Sequence, residues 1–209
     1  MSLPPARADE PLLEGDLDPD PIVQFRVWLE DARAAGVLFP EAMALATADG
    51  HGRPAVRHVL LRGLDDRGFV FFTNYESRKG RHLSDNPNAA LVFLWRELDR
   101  QVSVAGEVER TSVDESAAYF ASRPREAQLG AWASRQSEVV ASRDALDSAF
   151  AETTSGFEGR DVPLPPHWGG FRVRPGTIEF WKGRRHRLHD RLRYARRDDG
   201  GWTLERLYP

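Results

Sequence analysis

The sequence predicts an α+β protein: a closed or partly closed barrel of mostly antiparallel strands with helices at its periphery. Three observations carry this. Many short apolar runs are bounded by Gly, Pro and Asp turns, a few capped amphipathic stretches lie among them, and neither a repeat nor a low-complexity linker divides the chain. The pattern fits one domain over residues 20–209. Residues 1–19, rich in Pro, Asp and Glu, read as a mobile arm.

The elements follow in order. Asp20 suits an N-cap and Pro21 a first helical position; Ile22, Phe25, Leu29 and Ala32 form one apolar stripe, and Gly36 ends the helix. Strands are predicted at 42–48, 56–64 and 69–73, separated by Asp- and Gly-containing turns at 49–52 and 65–68. A short helix at 77–85 precedes strands at 89–95 and 101–110. Ser112 caps a helix that runs through Tyr119 and Phe120 and is closed by Pro124. A further helix covers 142–155, and strands return at 170–173, 177–181, 187–195 and 202–207.

Composition removes several classes of function. With no cysteine, disulfides, thiolate chemistry and cysteine-ligated metals are excluded. A net charge of −3 gives no pull toward nucleic acid or an anionic membrane. No apolar run approaches the ~20 residues of a membrane span. The first residues lack a basic stretch followed by an apolar one, so the expected location is the cytoplasm. Only two of the 29 basic residues, Lys79 and Lys182, are lysine, so a lysine stands out here and a single arginine does not.

Three segments carry candidate chemistry. Ser77, Arg78 and Lys79 open a helix, where free N–H groups favour an anion; the plain alternative is a solvated basic turn. Arg57 alternates with Val59 and Leu61 on one strand face, opposite His58, Leu60 and Arg62. It is expected to be partly buried against either an internal carboxylate or a bound phosphate. The run 184–193 tempts a nucleic-acid reading and a His186–His189 metal reading, both weak. As a strand it would line Arg187, His189, Arg191 and Arg193 along one face, suited to an anionic or phenolic ligand or simply to an exposed edge. Gly50-His51-Gly52 is no dinucleotide loop, because Pro54 and a strand follow it.

Together these segments resemble the pyridoxamine 5'-phosphate oxidase family from about Asp18 to Pro209. The matching stretches are 57–62, 72–79, 100–102, 119–125, 128–132, 134–137, 168–172, 178–181 and 187–191, in this order. The resemblance implies an FMN-binding split β-barrel, built as a homodimer with two flavin sites at the subunit interface. It assigns Arg57, His58, Val59, Leu60, Leu61, Arg62, Phe72, Thr73, Arg78, Lys79, Gln101, Gln136, Ser137, Trp181 and Arg191 to FMN. Of these, Arg78 and Lys79 would reach its phosphate, and Gln136, Ser137, Trp181 and Arg191 would complete the partner's site. It assigns Arg62, Tyr119, Arg123 and Ala127 to a substrate phosphate, and Arg187, Leu188 and His189 to the substrate ring, with Arg187 and His189 catalytic.

The implied reaction oxidises pyridoxamine or pyridoxine 5'-phosphate to pyridoxal 5'-phosphate with oxygen as acceptor, and no metal takes part. The rivals are a related flavin oxidase of the phenazine-biosynthesis type and a non-catalytic module binding FMN or pyridoxal phosphate. This chain departs from the family pattern at Arg62, where a lysine is usual, at Ala127, where a serine is usual, and at Pro4 and Arg7, where an Arg-x-x-Tyr pair is usual.

Overall fold

The computed structural model describes residues 10–209, so Pro4 and Arg7 lie outside the described residues. Its nine strands form one antiparallel sheet: β1 (Ala42–Ala48), β2 (Pro54–Leu60), β3 (Gly63–Asp65), β4 (Gly68–Asn74), β5 (Asn88–Trp95), β6 (Arg100–Arg110), β7 (Trp168–Lys182), β8 (Asp190–Arg196) and β9 (Trp202–Arg206). The order is β2-β1-β5-β6-β7-β4-β3, with β8 and then β9 added beside β7. The helices are α1 (Pro21–Ala34), α2 (Arg78–Asp85), α3 (Val113–Ala121), α4 (Arg125–Ala133) and α5 (Arg143–Gly156). No described helix is long and apolar enough to cross a membrane.

The curled sheet closes over α1. Asp20 accepts the Ile22 N–H as N-cap, Pro21 opens the helix, and the apolar stripe turns inward. Phe25 is fully buried with ring centroids 4.9 Å from Phe69 and 4.7 Å from Phe93, and Trp28 meets Phe180 edge-on at 5.0 Å. Edge-to-face packing of this kind adds about 0.5–1.5 kcal/mol per pair beyond area burial. A second cluster of Phe120, Leu129, Val162 and Trp168 lies beneath α3, α4 and α5.

Four expectations are corrected. The strand expected at 56–64 breaks after Leu60: the Leu61 N–H still reaches toward β1 at Glu41, while the Arg62 N–H turns to Val70 of β4. The chain changes sheet neighbours there, so alternation stops and the Leu61 side chain enters the core. The two strands expected at 170–173 and 177–181 are one continuous β7. Pro175 faces Gly106 where the β6 register shifts, and such a bulge tolerates a residue without an N–H. A Cβ on Gly106 would stand 1.9 Å from the Arg174 carbonyl oxygen, so the close approach requires glycine.

Helix α4 was not expected at all; Pro124 both ends the preceding turn and serves as its N-cap residue. Residues 10–19, expected as the end of a mobile arm, lie on the barrel. Leu12 and Leu17 are buried, Arg206 pairs with Glu14, and the Tyr194 hydroxyl donates to the Asp18 carbonyl at 2.6 Å. Two apolar anchors within a polar segment suffice to dock it.

Candidate functional site

One cleft of about 950 Å³ opens between β2, the end of β4, and helices α2, α3 and α4. Fourteen of the residues singled out in the sequence line it: Arg57, His58, Val59, Leu60, Arg62, Phe72, Thr73, Arg78, Lys79, Tyr119, Arg123, Ala127, Gln136 and Ser137. They come from five separate stretches of sequence.

One end of the cleft is cationic. Ser77 caps α2, its hydroxyl accepting the Gly80 N–H at 3.3 Å, which points the first turn and its Arg78 and Lys79 into the cleft. Lys79 is buried. Its Nζ donates to Gln136 Oε1 at 2.8 Å, Thr73 Oγ1 at 3.0 Å and Ser77 Oγ at 3.3 Å, all neutral acceptors. Burial, and secondarily the Arg57 charge, push the Lys79 ammonium down to about 8. Burial and the neighbouring Arg78 also lower Arg57.

Arg57 is half-buried, as expected. The internal carboxylate that was one alternative for it is absent among the described residues: its Nη1 donates to Thr47 Oγ1 at 2.7 Å and to the Leu45 carbonyl at 3.2 Å. Three cations thus share one pocket wall without an acidic partner among the described residues. A dianion there would relieve their mutual repulsion, whereas a solvated basic turn would not bury its lysine.

The other end is aromatic. Phe72 and Tyr119 stack at 4.0 Å and 16°, and Trp168 continues the stack at 5.5 Å and 9° from Phe72. The Arg123 guanidinium lies 4.8 Å over the Trp168 ring, and its buried Nη1 has no hydrogen-bond partner. Burial lowers Arg123, with nearby Arg62 adding to the effect. An orphaned, desolvated N–H donor in the wall of a cleft favours an anionic ligand group. Ala127 contributes no polar atom to that wall.

Seven of the singled-out residues do not line the cleft. Leu61 is in the core. Gln101, Trp181, Arg187, Leu188, His189 and Arg191 gather on β6, β7 and β8 and the loop between the last two. Gln101 pairs with Trp181, Trp181 with Arg191, and the His189 ring sits 4.7 Å from the Trp181 ring.

The strand expected at 187–195 starts only at Asp190. Lys182 faces Asp190 across the ladder, so residues 183–189 must form the hairpin loop. His186 and Arg187 there take left-handed φ of 58° and 62°. The face expected to carry Arg187, His189, Arg191 and Arg193 is therefore not a strand face at its first two members. Arg191 and Arg193 are engaged by Glu179 and Glu205. Arg187 and Leu188 are exposed. Gln136 and Ser137, expected to complete a partner's site, stand instead in this chain's own cleft beside Lys79.

Sequence reasoning missed Thr47, His82 and Trp168 as parts of the site. Thr47 and His82 are 35 positions apart and meet only because α2 packs on β1, so no local spacing signals them. Trp168 lies in a matching stretch, yet only the three-ring stack gives it a place.

Known proteins share this arrangement. A family model described as pyridoxamine 5'-phosphate oxidase matches residues 29–155, and one described as the pyridoxine 5'-phosphate oxidase C-terminal dimerisation region matches residues 168–209. The pyridoxine/pyridoxamine 5'-phosphate oxidase of Rubrobacter xylanophilus is 59% identical over 198 residues, covering 95% of this chain and 91% of that protein. The protein of the same name from Microcystis aeruginosa is 54% identical over 200 residues, covering 96% and 94%.

Among solved structures, PhzG from Burkholderia lata, in complex with tetrahydrophenazine-1-carboxylic acid, superposes with a TM-score of 0.86 at 35% identity, covering 100% of this chain and 98% of that one. A pyridoxamine 5'-phosphate oxidase-related, FMN-binding protein from Nostoc punctiforme shares the fold, with a TM-score of 0.70 at 19% identity over 88% of this chain and 97% of that one. The architecture is an α+β split barrel, the fold of that FMN-binding neighbour.

Proposed function

The chain belongs to the pyridoxamine 5'-phosphate oxidase family, and on that premise we propose that it is a cytoplasmic FMN-dependent oxidase converting pyridoxamine or pyridoxine 5'-phosphate to pyridoxal 5'-phosphate. The observation that carries the cofactor is the buried Lys79, grouped with Arg57 and Arg78 and bonded only to neutral acceptors. That donor set fits one phosphate monoester. FMN, when bound, would accept a hydride from the exocyclic carbon of the substrate and pass the electrons to oxygen, giving hydrogen peroxide.

The protein's part is binding and alignment. Arg57, Arg78 and Lys79 would hold the cofactor phosphate, with Thr73, Gln136 and Ser137 beside it. Arg123, whose Nη1 has no hydrogen-bond partner among the described residues, would take the substrate phosphate with Arg62 and Tyr119. Remote binding of that kind converts phosphate affinity into orientation of the reacting carbon.

Gln101, Trp181, Arg187, Leu188, His189 and Arg191 cannot contribute to a cleft they do not line, unless a second copy brings them there. All but Gln101 fall within the stretch matched by the dimerisation model, and Arg187 and Leu188 are exposed in the single chain. The homodimer is thus part of the proposal: one subunit supplies the cationic cleft, and its partner supplies Trp181 and Arg191 to the flavin and Arg187 and His189 to the substrate ring.

A second reading has one specific support, the full-length superposition on PhzG. It would put a phenazine precursor carboxylate on Arg123. Oxygen uptake decides: the favoured reading expects turnover with pyridoxamine 5'-phosphate and little with tetrahydrophenazine-1-carboxylic acid. Bound FMN without peroxide from either compound would leave only a flavin-binding module. Mass spectrometry of the released cofactor should give FMN; FAD would overturn the single-phosphate site.

A further inference from the structure

We infer that Thr47 and His82 are positioning residues for the cofactor phosphate, acting through Arg57. This rests on the FMN reading above and extends it behind the cleft wall. Arg57 Nη1 donates to Thr47 Oγ1 at 2.7 Å. A threonine hydroxyl has one hydrogen, and with the guanidinium donating to its oxygen, that hydrogen is free to go elsewhere. The ring nitrogen Nδ1 of His82 lies 3.2 Å from that hydroxyl, within hydrogen-bond reach. A hydrogen-bonded line thus runs from Arg57 through Thr47 to His82.

Thr47 and His82 are both buried, at 3% and 7% exposure, so neither hydroxyl nor ring exchanges this partner for bulk water. The line joins three elements. Arg57 stands on β2, Thr47 on the neighbouring β1, and His82 on α2, the helix whose first turn carries Arg78 and Lys79. The Leu45 carbonyl, also on β1, accepts from the same Nη1 at 3.2 Å. With Nη1 engaged on both sides, the guanidinium plane is set, and its remaining N–H groups are left for an anion.

His82 thereby ties the Arg57 side of the pocket to the helix that bears the other two cations. A phosphate held by both elements is sensitive to their separation. A flavin that lacks the phosphate would not share that sensitivity.

The test compares FMN with riboflavin, which lacks only the phosphate, by fluorescence titration of the apoprotein. Thr47→Val and His82→Leu should each raise the Kd for FMN by about three- to tenfold, the range of one lost buried hydrogen bond, while the Kd for riboflavin stays within about twofold. Thr47→Ser restores the hydroxyl, and His82→Asn places an amide able to donate or accept near where Nδ1 stood; both should return toward the wild-type FMN Kd. Thr47→Val is nearly isosteric and guards against misfolding in the helix variants.

An unchanged FMN Kd in Thr47→Val would overturn the inference. So would parallel losses for FMN and riboflavin, which would mark a packing role only. A wild-type protein that binds FMN no better than riboflavin would instead sink the phosphate assignment on which the inference stands.

Discussion

Replacing Lys79 by Met should strengthen the free protein at neutral pH while weakening cofactor binding. The Lys79 ammonium is pushed from the usual 10.5 down to about 8, chiefly by burial, so in the folded apoprotein its charged form is the disfavoured one. At about 1.4 kcal/mol per pH unit, that gap corresponds to roughly 3 kcal/mol of stability forgone near pH 7. The sign follows from linkage. The unfolded chain binds the proton more tightly, so wild-type stability rises as pH climbs from about 8 toward 10.5, and the forgone part is recovered.

Methionine removes the charge and fills similar space. It also removes the Nζ donor from the Gln136 and Thr73 oxygens, though Gln136 Oε1 still accepts from the Thr73 hydroxyl, at a cost of roughly 0.5–1.5 kcal/mol each. The net expectation is a gain of about 1 kcal/mol at pH 7 that shrinks and changes sign at about pH 9. Urea denaturation of flavin-free wild type and Lys79→Met across that range measures it. The same substitution should weaken FMN by about tenfold to a hundredfold, through loss of a charge-assisted contact. A variant less stable than wild type at pH 7, or a stability difference that does not vary with pH, would refute the account of a strained, waiting cation. An unchanged FMN Kd would remove Lys79 from the phosphate site.

Further outcomes follow from the same geometry. Arg123→Leu should keep FMN but raise the KM for pyridoxamine 5'-phosphate by about tenfold or more, read by oxygen uptake, because the orphaned Nη1 is then absent. Arg187→Ala and His189→Ala should retain the flavin spectrum and lose about tenfold or more in kcat/KM; wild-type rates of flavin reduction in anaerobic stopped-flow would sever both from the substrate. Mixing Arg123→Leu and His189→Ala protein and allowing subunits to exchange should recover about a quarter of wild-type activity, since half the dimers are hybrid and each hybrid carries one intact site; no recovery would mean that each chain builds its own site. Glu115 is held down at about 2, first by its hydrogen bond from Arg172, and its contribution is present above the ordinary carboxylate range and lost as pH falls toward 2. Because it is partly exposed, Glu115→Gln should cost only about 1 kcal/mol at pH 7 in thermal or urea unfolding, and nothing measurable near pH 2.

The periodicity of the sequence already determined most strands and helices, because their signals are local. Asp20-Pro21 and Ser112 start helices through their own side chains, and 42–48 alternates without interruption. The family resemblance, carried by nine short stretches in order, singled out fourteen residues that line the cleft. Contacts between distant segments decided the rest. Continuity of β7 through Pro175 depends on a bulge at its own Gly176, which lets Ala105 face Thr177 and Gly106 face Pro175. The break after Leu60 depends on a change of sheet neighbour, and the start of β8 at Asp190 depends on its ladder partner Lys182. Whether Arg57 faced a carboxylate or an empty anion site, and that Thr47 and His82 stand behind it, could be read only once β1, β2 and α2 were packed together. Burial and partner identity are properties of the assembled neighbourhood, and sequence spacing carries neither.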